Sequence, residues 1–453
     1  MHPHGPFNTA ASTMSLSVRA QKAGTPAPDI VDLWSILKDL WHPAANPAGY
    51  VSLGVAENTL MHDSLLAHIH GNLSLTSHNL TYGDGSKRLR AALSRFLTDQ
   101  LLPAEPILPS HILLTNGCSS AIEHMSWSLA NPGEAFLLGQ PYYGTFLPDL
   151  TLRTGASVVP VPFGSTDPLS ADAVAKYETA LLASEAKGVK IAGLILCNPH
   201  NPLGRCYPRE AILGLMALCE KHKIHLVSDE IYALSVWENA VDSHPPPTPF
   251  TSCLSLSASG AMDPSRLHVL WGMSKDFGAN GIRVGAIISQ HNPALHAGLA
   301  PASLYSSVSS LSENLTANIL DDKDWHMSYL AQNREKLAHK YRIVTEWAKE
   351  NAVPYMPGVN AGFFLWVDLG AMYRQRHPEA VIGDIDEVVM QALLSKRVFL
   401  ASGKAFGSEV LGWFRIIFSH EEAYLREGLR RIVEAIEGPA DKVVDKVQRR
   451  LDN

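Results

Sequence analysis

The feature that most constrains this chain is an alternation, from about Ser52 to Gly281, of short apolar runs with longer stretches of helical periodicity. The runs HILLT (111–115), EAFLLG (134–139), SVVPV (157–161), KIAGLILC (190–197), KIHLVSD (223–229) and RLHVLWG (266–272) are mostly apolar throughout rather than alternating. Strands apolar on both faces are covered on both faces, the situation in a parallel sheet flanked by helices. Intervening segments such as SSAIEHMSWSLA and REAILGLMALCEKH carry the helical period and complete the βαβ pattern. The expected class is α/β, with a large, mostly parallel sheet.

After about Leu311 the pattern changes. A long amphipathic stretch (DKDWHMSYLAQNREKLAHKYRIVTEWAKEN) is followed by two strand-like pieces, AGFFLWVDL and GWFRIIFS, and a charged helix. A chain of 453 residues suits two domains. The expected division is a disordered tail at 1–25 and a segment at 26–70 packing with the smaller domain. A large domain at 71–315 and a small α+β domain at 316–453 complete it. The proline-rich stretch 243–249 is expected as a surface excursion, because proline removes donors and fixes φ.

Composition narrows the partners. A formal charge of -7 leaves no basic footprint for nucleic acid, and no apolar run approaches the length of a membrane span. Five scattered cysteines fit a reducing, cytoplasmic setting better than a disulfide framework. Twenty histidines do not cluster in the sequence, so no metal site is expected.

Strand ends are where α/β sheets hold ligands, and several chemically loaded residues fall there. Lys275 follows LHVLWG; a buried ammonium is costly, and a Schiff base with a carbonyl cofactor relieves that cost. The alternative is a lysine whose amine reaches out to solvent. Asp229 ends KIHLVSD, where its carboxylate needs a cation such as a protonated pyridine nitrogen, unless it merely caps the next turn. Tyr232 is three residues on, within reach of a ring oxygen. Asn201 is central in the rigid loop NPHNPLG, and its amide can donate to an oxyanion. NGCSSAIE (116–123) is a small-residue turn opening a helix, a site for a phosphate. Arg283 lies eight residues after Lys275, close enough for that phosphate. Arg415, inside GWFRIIFS, demands an anion: a substrate carboxylate, or an internal partner such as Glu409. Together these residues point to pyridoxal 5'-phosphate.

The segment GMSKDFGANGIRVG resembles the lysine signature of fold-type I, class I aminotransferases. SLGVAENTL, PYY (141–143), NPHNPLG, SDEIY, GFFLWVDL and LGWFRIIFS are similar to their counterparts in the 1-aminocyclopropane-1-carboxylate (ACC) synthase branch, over about residues 50 to 435. The resemblance implies that Lys275 binds the cofactor covalently and later moves the α-proton. It implies that Asp229 holds the pyridinium, Asn201 and Tyr232 the ring oxygen, and Tyr143 the ring face. Cys118, Ser119, Ser274 and Arg283 would hold the phosphate, joined across a homodimer by Tyr82 of the partner subunit. Arg415 and Asn201 would take the substrate, with Glu57 where the ACC synthase branch touches it.

Two positions depart from that pattern. Gly272 replaces a serine three before the lysine, and Pro148 falls where the ACC synthase branch carries an arginine. The expectation is therefore a carbon–sulfur lyase or aminotransferase of specialised metabolism. Authentic ACC formation from S-adenosylmethionine and a non-catalytic cofactor-binding protein are the alternatives.

Overall fold

The computed structural model describes residues 16–24, 33–81, 86–380 and 383–439. Strand β1 (Val51–Ser52) precedes the large sheet, which comprises β2 (Ile112–Thr115), β3 (Ala135–Gly139), β4 (Ser157–Val161), β5 (Ile191–Cys197), β6 (His225–Asp229), β7 (Leu267–Gly272) and β8 (Gly285–Ile288). Its order is β2-β8-β7-β6-β5-β3-β4, parallel except for β8, which runs antiparallel to both neighbours. Each apolar run named from the sequence is a strand of this sheet. Strand β8 is the addition: only twelve residues separate it from β7, too few for a full helical crossover, so the chain turns back. Pro160 sits in β4, an edge strand, where its missing donor costs no ladder bond.

Register places the chemistry. Cys197 pairs with Asp229, Asp229 with Leu270, and Gly285 with both Gly272 and Thr115. The ends of β2, β5, β6 and β7 therefore open on one edge of the sheet.

Further along, β9 (Phe364–Asp368), β11 (Ala401–Ser402) and β12 (Trp413–Ile417) form an antiparallel sheet in the order β11-β12-β9. Strand β10 (Val398–Phe399) pairs in parallel with β1, drawing the N-terminal segment onto this part of the chain. The long helix Lys323–Glu350 starts with Asp322 accepting from the Trp325 amide at 3.1 Å. It buries Leu330, Leu337, Tyr341 and Val344 completely, each contributing about 1.5–3 kcal/mol. Asp242, just before the proline-rich stretch, accepts from the Tyr341 hydroxyl, from Tyr355 Oη at 2.9 Å and from the Gly358 amide at 3.2 Å. Ser243 and Pro246 beyond it are exposed, as a surface excursion requires.

Within the expected tail, Val18–Ala23 is helical instead: the Ser17 hydroxyl accepts from the Ala20 amide at 3.3 Å and starts the turn. Among the described residues no helix is long and apolar enough to cross a membrane.

Candidate active site

Strand β7 delivers Lys275 through a single turn, Met273–Asp276. A Cβ on Gly272 would lie 2.7 Å from the Val284 carbonyl and 2.9 Å from Cys118 Sγ, so no side chain fits at that departure from the family pattern. Asp276 is buried and accepts from Ser235 Oγ (2.7 Å), Trp271 Nε1 (3.0 Å) and the Leu234 amide (3.2 Å), clamping the turn. Lys275 Nζ does not reach out to solvent; it donates to the Ala56 carbonyl at 2.6 Å. Burial, followed by the nearby Arg415 charge, lowers its pKa to about 8. An appreciable fraction of the amine is therefore neutral and nucleophilic near neutral pH.

Asp229 closes β6 with its carboxylate buried. Oδ1 accepts the Ile231 amide at 3.2 Å, so the turn-capping alternative is real, yet one backbone donor does not balance burial. Burial raises its pKa to about 7, partly offset by that bond and by Lys275. A cation against this carboxylate would restore its charge. Tyr232 is buried edge-on to Phe363 and Phe364 and lines the same cavity. Tyr143 also lines it, braced edge-on by Phe146 at 5.5 Å.

Arg283 and the opening of the helix Cys118–Leu129 form one end of the cavity. Gly117 holds φ +81°, and a Cβ there would lie 2.0 Å from Arg283 Nη2, so only glycine lets the guanidinium lie across the helix start. Arg283 Nη1 donates to the Asn280 carbonyl at 2.8 Å and Nη2 approaches the Asn116 carbonyl at 3.4 Å. Cys118, Ser119 and Ser274 line this cavity too. Burial pushes the Asp149 carboxyl up to about 6, partly offset by the neighbouring Ser119 hydroxyl.

Arg415 holds the other end, 3% exposed. Nη1 donates to Asn201 Oδ1 at 2.9 Å and Nη2 to the Gly54 carbonyl at 2.7 Å, while Nε has no partner. Phe406 lies 4.8 Å from the guanidinium carbon. Glu409 is not its ion-pair partner: that carboxylate accepts the amides of Phe163 (2.7 Å) and Gly164 (3.2 Å). Among the described residues Arg415 forms no salt bridge with any carboxylate. Glu57 is exposed and outside the cavity lining, although its charge acts on Lys275. Tyr82 lies outside the described residues.

The cavity between the two arginines encloses about 570 Å³, a size suited to a small cofactor with a substrate. Its donor set fits pyridoxal phosphate. It offers a depressed amine, a buried carboxylate lacking a cation, an arginine across a helix start and a buried guanidinium with an unused N–H. Sequence reasoning missed the Ala56 and Gly54 carbonyls, which bond Lys275 and Arg415, and the Asp276 clamp. The Lys-Asp dipeptide was the visible hint for Asp276; backbone carbonyls leave none. Two histidines scattered in the sequence do meet: His225 Nδ1 and His268 Nε2 are 3.0 Å apart. Among the described residues, however, no group of three or more metal-binding side chains assembles.

Comparison with known proteins gives a consistent picture. The model of the family "Aminotransferase class I and II" matches residues 50–432. A Bos taurus protein, "1-aminocyclopropane-1-carboxylate synthase-like protein 1", is 34% identical over 87% of this chain and 77% of its own length. A Mus musculus protein, "Probable inactive 1-aminocyclopropane-1-carboxylate synthase-like protein 2", is 31% identical over 88% and 68%. The Leptosphaeria maculans "Probable aminotransferase sirI" is 30% identical over 89% and 95%. Among solved structures, a double mutant of Thermus thermophilus aspartate aminotransferase superposes with a TM-score of 0.72 at 20% identity, covering 93% of this chain and 99% of that one.

Proposed function

We propose that this chain, which belongs to the class I and II aminotransferase family, binds pyridoxal 5'-phosphate at Lys275 and reacts at the α-carbon of an L-amino acid. The family depends on that cofactor, the fold is fold type I, and the chain belongs to the ACC synthase-like branch. The reaction proposed is transamination or β-elimination of a sulfur substituent, in a homodimer with shared active sites. One observation carries the reading: a partly neutral lysine amine and a cation-seeking carboxylate share one cavity with two arginines at its ends.

When bound, the cofactor supplies an aldehyde for an amine to capture and an electron-poor ring to accept the electron pair of a broken Cα–H bond. Asp229 would hold the ring nitrogen's proton, Asn201 and Tyr232 the ring oxygen, and Tyr143 the ring face. Arg283, Ser274, and the helix start at Cys118 and Ser119 would hold the phosphate. Arg415 grips the substrate α-carboxylate with charge-assisted bonds, its unused Nε being one available donor. Asn201, turned by Arg415 so that its oxygen is engaged, keeps its NH2 group for the cavity. Lys275 Nζ takes the α-proton, and a pKa near 8 suits a base working close to neutrality. With a pyridinium against Asp229 and a carboxylate against Arg415, burial would strengthen both pairings, since a low dielectric screens them poorly.

ACC formation from S-adenosylmethionine is supported by the names of several relatives. Pro148 on the cavity wall, where the ACC synthase branch has an arginine, weighs against it. The test is to mix cofactor-loaded protein with L-amino acids and cysteine S-conjugates and identify products by mass spectrometry. Conversion to 2-oxo acids, with or without thiol release, is expected. Release of ACC and methylthioadenosine from S-adenosylmethionine at ordinary turnover would overturn this choice of reaction. Shared sites predict that mixing Lys275→Ala and Tyr82→Phe chains restores activity above either parent.

A further inference from the structure

Resting on the function proposed above, we infer that Asn280 is a positioning residue for Lys275. Its side-chain amide holds the Ala56 carbonyl, so that the lysine amine can leave that carbonyl to take the cofactor and return to it when released.

Two donors meet on the Ala56 oxygen. Lys275 Nζ donates to it at 2.6 Å and Asn280 Nδ2 at 3.3 Å. A carbonyl can only accept, so Asn280 has to turn its NH2 group toward it. Ala56, Lys275 and Asn280 all line the cavity. The turn after the lysine fixes where Asn280 stands. Gly278, at φ +62°, packs against the segment 56–58, and a Cβ there would lie 2.2 Å from the Asn58 carbonyl oxygen. His62 Nε2 donates to the Gly278 carbonyl at 3.1 Å, and the Asn280 carbonyl accepts Arg283 Nη1 at 2.8 Å. On the other side, buried Asn58 donates to Asn333 Oδ1 of the long helix at 2.9 Å, and Ser419 Oγ donates to the Glu57 carbonyl at 2.6 Å. The carbonyl and both of its donors therefore sit on one frame.

Capture takes the lysine off that carbonyl. Its nitrogen forms a double bond to the aldehyde carbon, and its two hydrogens leave with the aldehyde oxygen as water. A buried carbonyl stripped of its donor would oppose capture by about tenfold or more. Asn280 Nδ2 stays in place and spares that loss. When an amino acid takes the lysine's place, the two hydrogens of its neutral amino group pass to Lys275, and Ala56 receives the amine again.

Two ligands separate this role from a general one. Apoprotein is titrated with pyridoxal 5'-phosphate and, separately, with 4'-deoxypyridoxine 5'-phosphate, which keeps the ring and phosphate but has no aldehyde. Asn280→Leu, close in size but without a donor, is expected to bind pyridoxal 5'-phosphate about tenfold more weakly than the parent, with the deoxy compound changed by less than about twofold. Should that variant not fold, Asn280→Ala is put to the same comparison. Equal weakening of both ligands assigns Asn280 to the phosphate end through Arg283 and overturns the inference, as does weakening of neither. A parent that binds both ligands alike, with no visible absorbance from lysine-bound cofactor, overturns the proposed function and this inference with it. A parent that prefers the aldehyde, and a variant that prefers it equally, overturn the inference alone.

Discussion

The two arginine ends of the cavity look alike in composition and differ in construction. Arg283 is exposed, follows Lys275 by eight residues, and leans on carbonyls of Asn280 and Asn116 across a glycine with left-handed φ. Arg415 is buried in β12, and its two protein partners, Asn201 and the Gly54 carbonyl, come from 214 and 361 residues away in sequence. One end is assembled by a local turn beside a helix start. The other exists only when two sheets and the N-terminal segment converge. An exposed arginine can release and recapture an anion at modest cost, as a cofactor phosphate needs during loading. A buried, half-satisfied arginine holds an unfulfilled demand for an anion that each substrate meets in turn.

Substitutions should separate these ends. Lys275→Ala, standing between them, should have the largest effect: no visible absorbance from lysine-bound cofactor, and turnover lower by roughly 10³–10⁴-fold. Arg415→Leu should lower kcat/KM by about 100-fold in steady-state assays, with cofactor affinity within about threefold of the parent. Arg283→Gln should do the reverse, weakening cofactor binding by about 10–100-fold in titration while kcat/KM at saturating cofactor barely moves. If the two arginine variants exchange phenotypes, the division of labour is wrong.

Cofactor capture should also depend on pH. With the Lys275 pKa lowered to about 8, the neutral amine is the minor form below that value and the major form above it. Stopped-flow reconstitution of the apoprotein should therefore quicken about tenfold per pH unit below 8 and level off above. Gly117→Ala should have the smallest effect, about 1 kcal/mol or somewhat more in a denaturant midpoint. Its damage should appear in cofactor affinity rather than substrate affinity, because the added methyl meets Arg283.

Much of this was legible in the chain. Continuous apolar runs announced the large sheet, and Lys275, Asp229 and Asn201 stood at the ends of those runs. Register then brought them together, as parallel strands with aligned ends must. Strand β8 escaped notice because four apolar residues after a tight turn carry no period to read. Glu57 shows the opposite difficulty: its position in a motif suggested substrate contact, and the structure leaves it exposed outside the cavity lining, with its charge acting on Lys275.

Sequence alone determined the fold class and the residue types that can hold an amine-capturing cofactor, because periodicity and side-chain chemistry are local properties. Tertiary structure decided what each group experiences. Burial lowers the Lys275 pKa and raises that of Asp229, and the Gly54 and Ala56 carbonyls occupy donors on Arg415 and Lys275. Desolvation and backbone hydrogen bonding depend on which segments pack together, and no residue's identity records them.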